Sequence, residues 1–186
     1  MAISSAEDTG RDTVVTAAGQ TTTVDAIELL KSDHRQVEAW FEQFSATDDA
    51  VKKETLTSDI CKALEVHTQL EEEIFYPAFL QAGGDPGLHH QAIVEHDSAE
   101  GLIDAILTSP GAVDDDYFDA RVRVLAEMIR HHVNEEEKPG GLFELAAELE
   151  LDPGLGAQIE RRKIQLMDDA QTERGYDEAV ERPDQR

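Results

Sequence analysis

The chain has 186 residues, 41 Asp+Glu against 16 Lys+Arg and a formal net charge of -25. That length fits one domain of ordinary size with tails, and the charge argues against nucleic acid and anionic membranes as partners, since both are bound through basic patches. The single cysteine, Cys61, excludes an intramolecular disulfide, an iron–sulfur cluster and a Cys-x-x-Cys centre; with no membrane-length apolar run and no signal-peptide pattern, the expected compartment is the cytoplasm.

Residues 1–22 are small, polar and aperiodic and read as a disordered leader. A first helix is expected from Thr23 or Asp25, both cap residues, with a stripe of Ile27, Leu30, His34, Val37, Phe41 and Phe44 at gaps of three and four. A second is expected over about Ala50–Ala82, with Leu56, Ile60, Leu64, His67, Glu71 and Ile74 inward and Pro77 kinking it or ending its regular part. GGDPG at 83–87 is a turn that starts a third helix with Pro86 in its first turn. Its expected face is His89, Ile93, His96, Glu100, Ile103 and Leu107. A fourth starts near Asp115 and carries Phe118, Val122, Leu125, Ile129, His132 and Glu136, until Pro139-Gly140-Gly141 breaks it and LFELAAEL resumes. The pattern is all-α: an up-down-up-down four-helix bundle over 23–150, followed over 151–186 by a C-terminal helix at about 155–173 and a polar tail. The last helix either packs on the bundle or forms a dimer contact.

Four of these stripes carry a histidine where an apolar residue is expected. Two carry a glutamate four residues later, one turn along the same face: His67 to Glu71 and His132 to Glu136. One such histidine is ordinarily a hydrogen-bonded core residue. Four of them with two buried carboxylates need compensation of several kcal/mol per ion, on the order given for desolvated charges, and a metal pair supplies it. His131 and Glu135 offer the same spacing. The residues three, four and seven before His132 are Ile129, Met128 and Leu125, whereas those before His131 are Met128, Glu127 and Val124, so His132 is assigned as the ligand. Glu100, four after His96, is either a further terminal ligand or a carboxylate at a wet rim. Glu72, Glu73, Glu135, Glu137 and Glu38 read as solvated faces. His89 lies too far from His96 to share its ion and either lines a channel or is exposed.

The expected ligand set is therefore His34, His67, Glu71, His96, Glu100, His132 and Glu136. Imidazole with carboxylate suits iron, manganese or zinc. It leaves room for an oxo or hydroxo bridge and a small exogenous ligand between apolar walls expected at Leu64, Ile93 and Ile129.

The order His34, His67-x-x-x-Glu71, His96, His132-x-x-x-Glu136 resembles the hemerythrin-like, or HHE cation-binding, family. HTQLEEEIFYP is similar to that family's second-helix motif, including a proline ten after the histidine; the fourth helix departs from it, with Pro139-Gly140-Gly141 where a Leu-Phe-Pro end would stand. The resemblance spans about residues 24–150 and implies two iron ions in a four-helix bundle. It also implies a protein that binds or senses dioxygen, nitric oxide, peroxide or iron, or alternatively a di-iron peroxidase or catalase-like scavenger. Oxygen carriers of the family have a histidine and an aspartate where this chain has Glu100 and Glu137, which disfavours a simple reversible carrier.

Overall fold

A computed structural model describes residues 24–108 and 116–180; the expected leader, most of the loop at 109–116 and the last residues lie outside these. The described residues are helical, with no strand and no helix long and apolar enough to cross a membrane. Helix α1 is Ala26–Ser45, and Asp25 caps it by accepting from the N–H of Ile27 and Glu28. Helix α2 is Ala50–Leu70, capped by Asp49. It runs without a break through a π-helical turn, Glu71–Phe75, into α3, Tyr76–Gln81. Helix α4 is Pro86–Leu107, capped by Asp85 with Pro86 at its start, where the missing N–H costs nothing. Helix α5 is Asp116–Glu137, α6 is Leu142–Glu148 and α7 is Leu155–Val180.

Cross-helix pairs give the topology. His34 and Phe44 of α1 meet Glu137 and Phe118 of α5, so those two run antiparallel. Asp33 and Phe44 meet His67 and Lys53 of α2, and Glu95 and Ala105 of α4 meet His132 and Arg121 of α5. The order is up-down-up-down, as expected, and α2 and α5 point the same way. Helix α7 lies on the bundle: Lys163 pairs with Asp33, Arg162 with Glu73, and Lys62 donates to the carbonyl of Met167. It continues past the expected end at 173, to Val180.

The core has two apolar clusters. One holds Phe41, Phe44, Ile60, Leu64, Ile103, Val122 and Leu125; the other holds Leu30, Leu70, Phe75, Tyr76, Phe79, Leu142, Phe143 and Ile159. Each fully buried leucine or phenylalanine contributes roughly 1.5–3 kcal/mol. The four buried histidines lie between the clusters. The break after α5 is a tight turn with Gly140 at φ +74°, after which Phe143 folds back and stacks on His34 at 5.7 Å between ring centres. The late Leu142-Phe143 thus closes the bundle on the site.

Candidate metal centre

His34, His67, His96 and His132 come one from each bundle helix, and each is only 5–6% exposed. Because α2 and α5 run the same way, Glu71 and Glu136 both lie one turn beyond their histidines on the same side of the imidazole layer, at 0% and 2% exposure. Nε2 of His34 faces Nε2 of His67 at 3.0 Å, and Nε2 of His96 faces Nε2 of His132 at 3.2 Å. Glu71 spans the two pairs, with Oε1 3.3 Å from Nε2 of His67 and Oε2 3.3 Å from Nε2 of His96. Oε2 of Glu136 is 3.5 Å from His34 and 3.6 Å from His132. One potential ligand atom each from His34, His67, Glu71 and Glu136 lies within 4.8 Å of the others, and so do those of Glu71, His96 and His132. Glu71 belongs to both groups.

The outer ring nitrogens reveal a layer that the sequence reading missed. Nδ1 of His34 donates to Glu137 (2.7 Å), that of His96 to Glu72 (2.8 Å) and that of His132 to Glu95 (2.9 Å). Nδ1 of His67 lies 3.6 Å from Asp33, an electrostatic contact too long for a hydrogen bond. A carboxylate on Nδ1 fixes the tautomer that leaves the Nε2 lone pair inward and orients the ring for a metal. Glu72 and Glu137, expected as solvated faces, act here instead. Arg35 in turn holds Glu137, and Lys163 holds Asp33.

Tyr76 is the other residue the sequence reading missed. Its buried hydroxyl lies 3.1 Å from Oε2 of Glu71, 3.0 Å from Oε1 of Glu136 and 3.4 Å from Nε2 of His96. Five residues after Glu71, it would point elsewhere in a regular helix of 3.6 residues per turn. The π turn, in which the Tyr76 N–H donates to the Glu71 carbonyl, brings it round to the same face. Pro77, which has no N–H to give an α-helical bond, was the available signal.

The electrostatics fit a cation. With an outer nitrogen donating, each of His34, His96 and His132 turns Nε2 inward. Burial disfavours charge on His67, yet neighbouring Glu71 outweighs it and raises the ring to about 10. Burial, aided by His67, lowers His34 to about 4. Burial opposes ionisation of Glu71, but His67 and His96 hold it well below the usual carboxylate range; burial and Glu71 together push Glu136 well above it. The two buried carboxylates are thus driven in opposite directions. Oε1 of Glu71, Oε2 of Glu136 and Nδ1 of His67 are buried without a hydrogen-bond partner. Such orphan atoms are rare and need an explanation, and a divalent pair supplies one for the two inward carboxylate oxygens.

A cavity of about 360 Å³ reaches the histidines, with Val37, Leu64, Ile103, Met128 and Ile129 as apolar wall. Leu64 and Ile129 line it as expected. Ile93 instead packs with the other cluster. Glu100 is not brought to the ligand groups: the buried face of α4 is Ala92, His96, Ala99, Ile103 and Ile106, one residue away from the expected stripe, which leaves Glu100 and Leu107 exposed. Since α4 runs opposite to α2, four residues after His96 also leads away from Glu71. His131 is exposed, and His89 packs edge-on against Tyr76 at 5.5 Å.

An antiparallel helical bundle with buried histidines and glutamates gathered in two overlapping groups defines a cation-binding protein class. The model of the hemerythrin HHE cation binding domain matches residues 25–139, and the chain belongs to that family. It is similar in structure to a hemerythrin HHE cation binding domain-containing protein from Mycobacterium kansasii, with a TM-score of 0.64 and 22% identity over 80% of this chain and 91% of that one. It is also 30% identical over 111 residues to a protein described as a DNA nickase from Nostoc sp. (strain PCC 7120 / SAG 25.82 / UTEX 2576), covering 59% of this chain but only 30% of that protein.

Proposed function

We propose that His34, His67, Glu71, His96, His132 and Glu136 hold two iron ions shared through Glu71, and that the protein binds or senses a small uncharged molecule there: dioxygen, nitric oxide or peroxide. One observation carries this reading: all four buried imidazoles turn Nε2 inward toward two carboxylates, with an apolar cavity against them. Iron so held supplies redox-active, Lewis-acidic positions. The protein's own part is to orient three of the imidazoles through Glu72, Glu95 and Glu137, with Asp33 beside the fourth, and to present a hydrocarbon wall that favours a diatomic over larger polar molecules. Manganese or zinc would fit the same donors less distinctively.

Nucleic acid is not proposed as a partner, because a net charge of -25 repels phosphate. The DNA nickase match spans under a third of that protein, so its activity is not carried over to this chain. The proposed compartment is the cytoplasm. A di-iron peroxidase or catalase-like scavenger is the second reading, favoured by Tyr76, whose phenol holds a proton among the ligand atoms. Iron-reconstituted protein titrated with nitric oxide should show a saturable change in its visible spectrum. No change would remove the ligand-binding reading. Oxygen release from hydrogen peroxide faster than from free iron would favour the scavenger instead.

A further inference from the structure

Two approaches lead from solvent to the histidines, and their charges differ. On one side, between α1 and α5, a cavity of about 340 Å³ reaches His34 past Arg35, Arg130 and Lys138, which are paired with Glu137, Glu38 and Glu135, the first two of these carboxylates also lining it. The larger cavity reaches all four histidines, and its exposed lining residues include Glu65, Gln69 and Glu72 along α2 and its π turn, and Asp97 and Glu100 on α4. It therefore opens where α2 faces α4. No lysine or arginine lines it. At its inner end lies His67, 6% exposed, with Nδ1 lacking a hydrogen-bond partner.

We propose that the opening between α2 and α4 is the entry route for divalent cations, drawn in by Glu65, Asp97 and Glu100 and passed to the buried imidazoles. This rests on the reading of the buried cluster as a metal centre. A cleft of one sign with low-dielectric walls focuses the field and raises the local concentration of the opposite ion, and with it on-rates by about 10- to 1000-fold. Here the acidic mouth leads onto the apolar wall of Leu64, Ile103 and Met128, and the ligands lie beyond. The opposite approach is lined by three cations against two carboxylates, so it offers an incoming cation no comparable attraction. Glu100 thus gains a role its place outside the ligand groups would not suggest: it attracts the ion and does not keep it.

The test is stopped-flow loading of the metal-free full chain with Co(II), followed by the visible absorption of the bound ion. The variant Glu65→Gln/Asp97→Asn/Glu100→Gln is compared with a control of equal charge change, Glu54→Gln/Glu127→Gln/Glu148→Gln, whose sites do not line the cavity. The route predicts loading at least about fivefold slower at low salt for the first variant, near wild-type loading for the control, a difference that shrinks as salt rises, and the wild-type amount of cobalt bound at the end. Equal rates in all three proteins, or equal slowing in both variants, would overturn the route while leaving the metal centre intact. Failure of the wild-type chain to bind cobalt at all would instead overturn the metal centre on which the route rests.

Discussion

Glu71→Gln is the sharpest perturbation of the centre, because Glu71 is the one residue shared by both ligand groups. The amide keeps the size of the side chain and can still accept from Tyr76, so packing is preserved. The charge that neutralises the site is lost. Removing one partner of a buried, paired charge costs about 3–5 kcal/mol, equivalent to roughly 10²- to 10³-fold or more in affinity. One group falls from four candidate ligands to three, the other from three to two. Both metal positions should therefore weaken. Glu136→Gln removes a residue of the four-membered group only, although its Oε2 also lies 3.6 Å from Nε2 of His132, so the His96–His132 position should weaken less and keep its metal. The assay is competition of each variant against a coloured chelator, with metal counted by elemental analysis. Loss of both metals in Glu71→Gln and of one in Glu136→Gln is expected. Equal behaviour of the two variants would refute the shared role of Glu71.

Tyr76→Phe keeps the ring and removes the hydroxyl, leaving Oε1 of Glu136 and Oε2 of Glu71 short of a donor; the metal-free fold should lose about 1–3 kcal/mol, a drop of several degrees in Tm by calorimetry. Lys163→Ala frees Asp33 beside His67; since outer-shell partners are worth roughly 10- to 100-fold in metal affinity and this pair is partly exposed, a loss near tenfold is expected in chelator competition. The metal-free protein should become less stable as pH rises from 7 to 10. His67 is raised to about 10 and His96 is raised too, against opposing burial and mainly by Glu71, while burial raises Glu136. A group raised on folding gives stability that is present below its unfolded pKa and lost as pH passes its folded one. Thermal melts in chelator that stay flat or rise over that range would contradict the charge assignment.

The helical stripes and the paired His-x-x-x-Glu steps were legible because an α-helix repeats every 3.6 residues, and α1, α2 and α5 kept that period up to their ligands. Helix α4 was misread by one residue: its inner face uses Ala92 and Ala99, small residues that a search for large apolar ones passes over in favour of Ile93, Glu100 and Leu107. Tyr76 was hidden because a π turn shifts the period just before it. The carboxylates on the outer ring nitrogens, Glu72, Glu95, Glu137 and Asp33, lie on half-exposed helix flanks where a charge ordinarily means solvent. Each reaches a histidine of a neighbouring helix, a relation that no spacing along one helix encodes. The late Leu142-Phe143 pair read as a departure from the family motif, yet the glycine turn before it lets Phe143 reach His34.

The metal centre is tested most directly by the metal content of the full chain after anaerobic reconstitution with ferrous iron and removal of the excess, measured by elemental analysis against protein concentration. About two iron ions per chain are expected, falling to none when His67 and His132 are both replaced by alanine. Fewer than one ion per chain in the wild-type protein, or an unchanged content in that double variant, would contradict it.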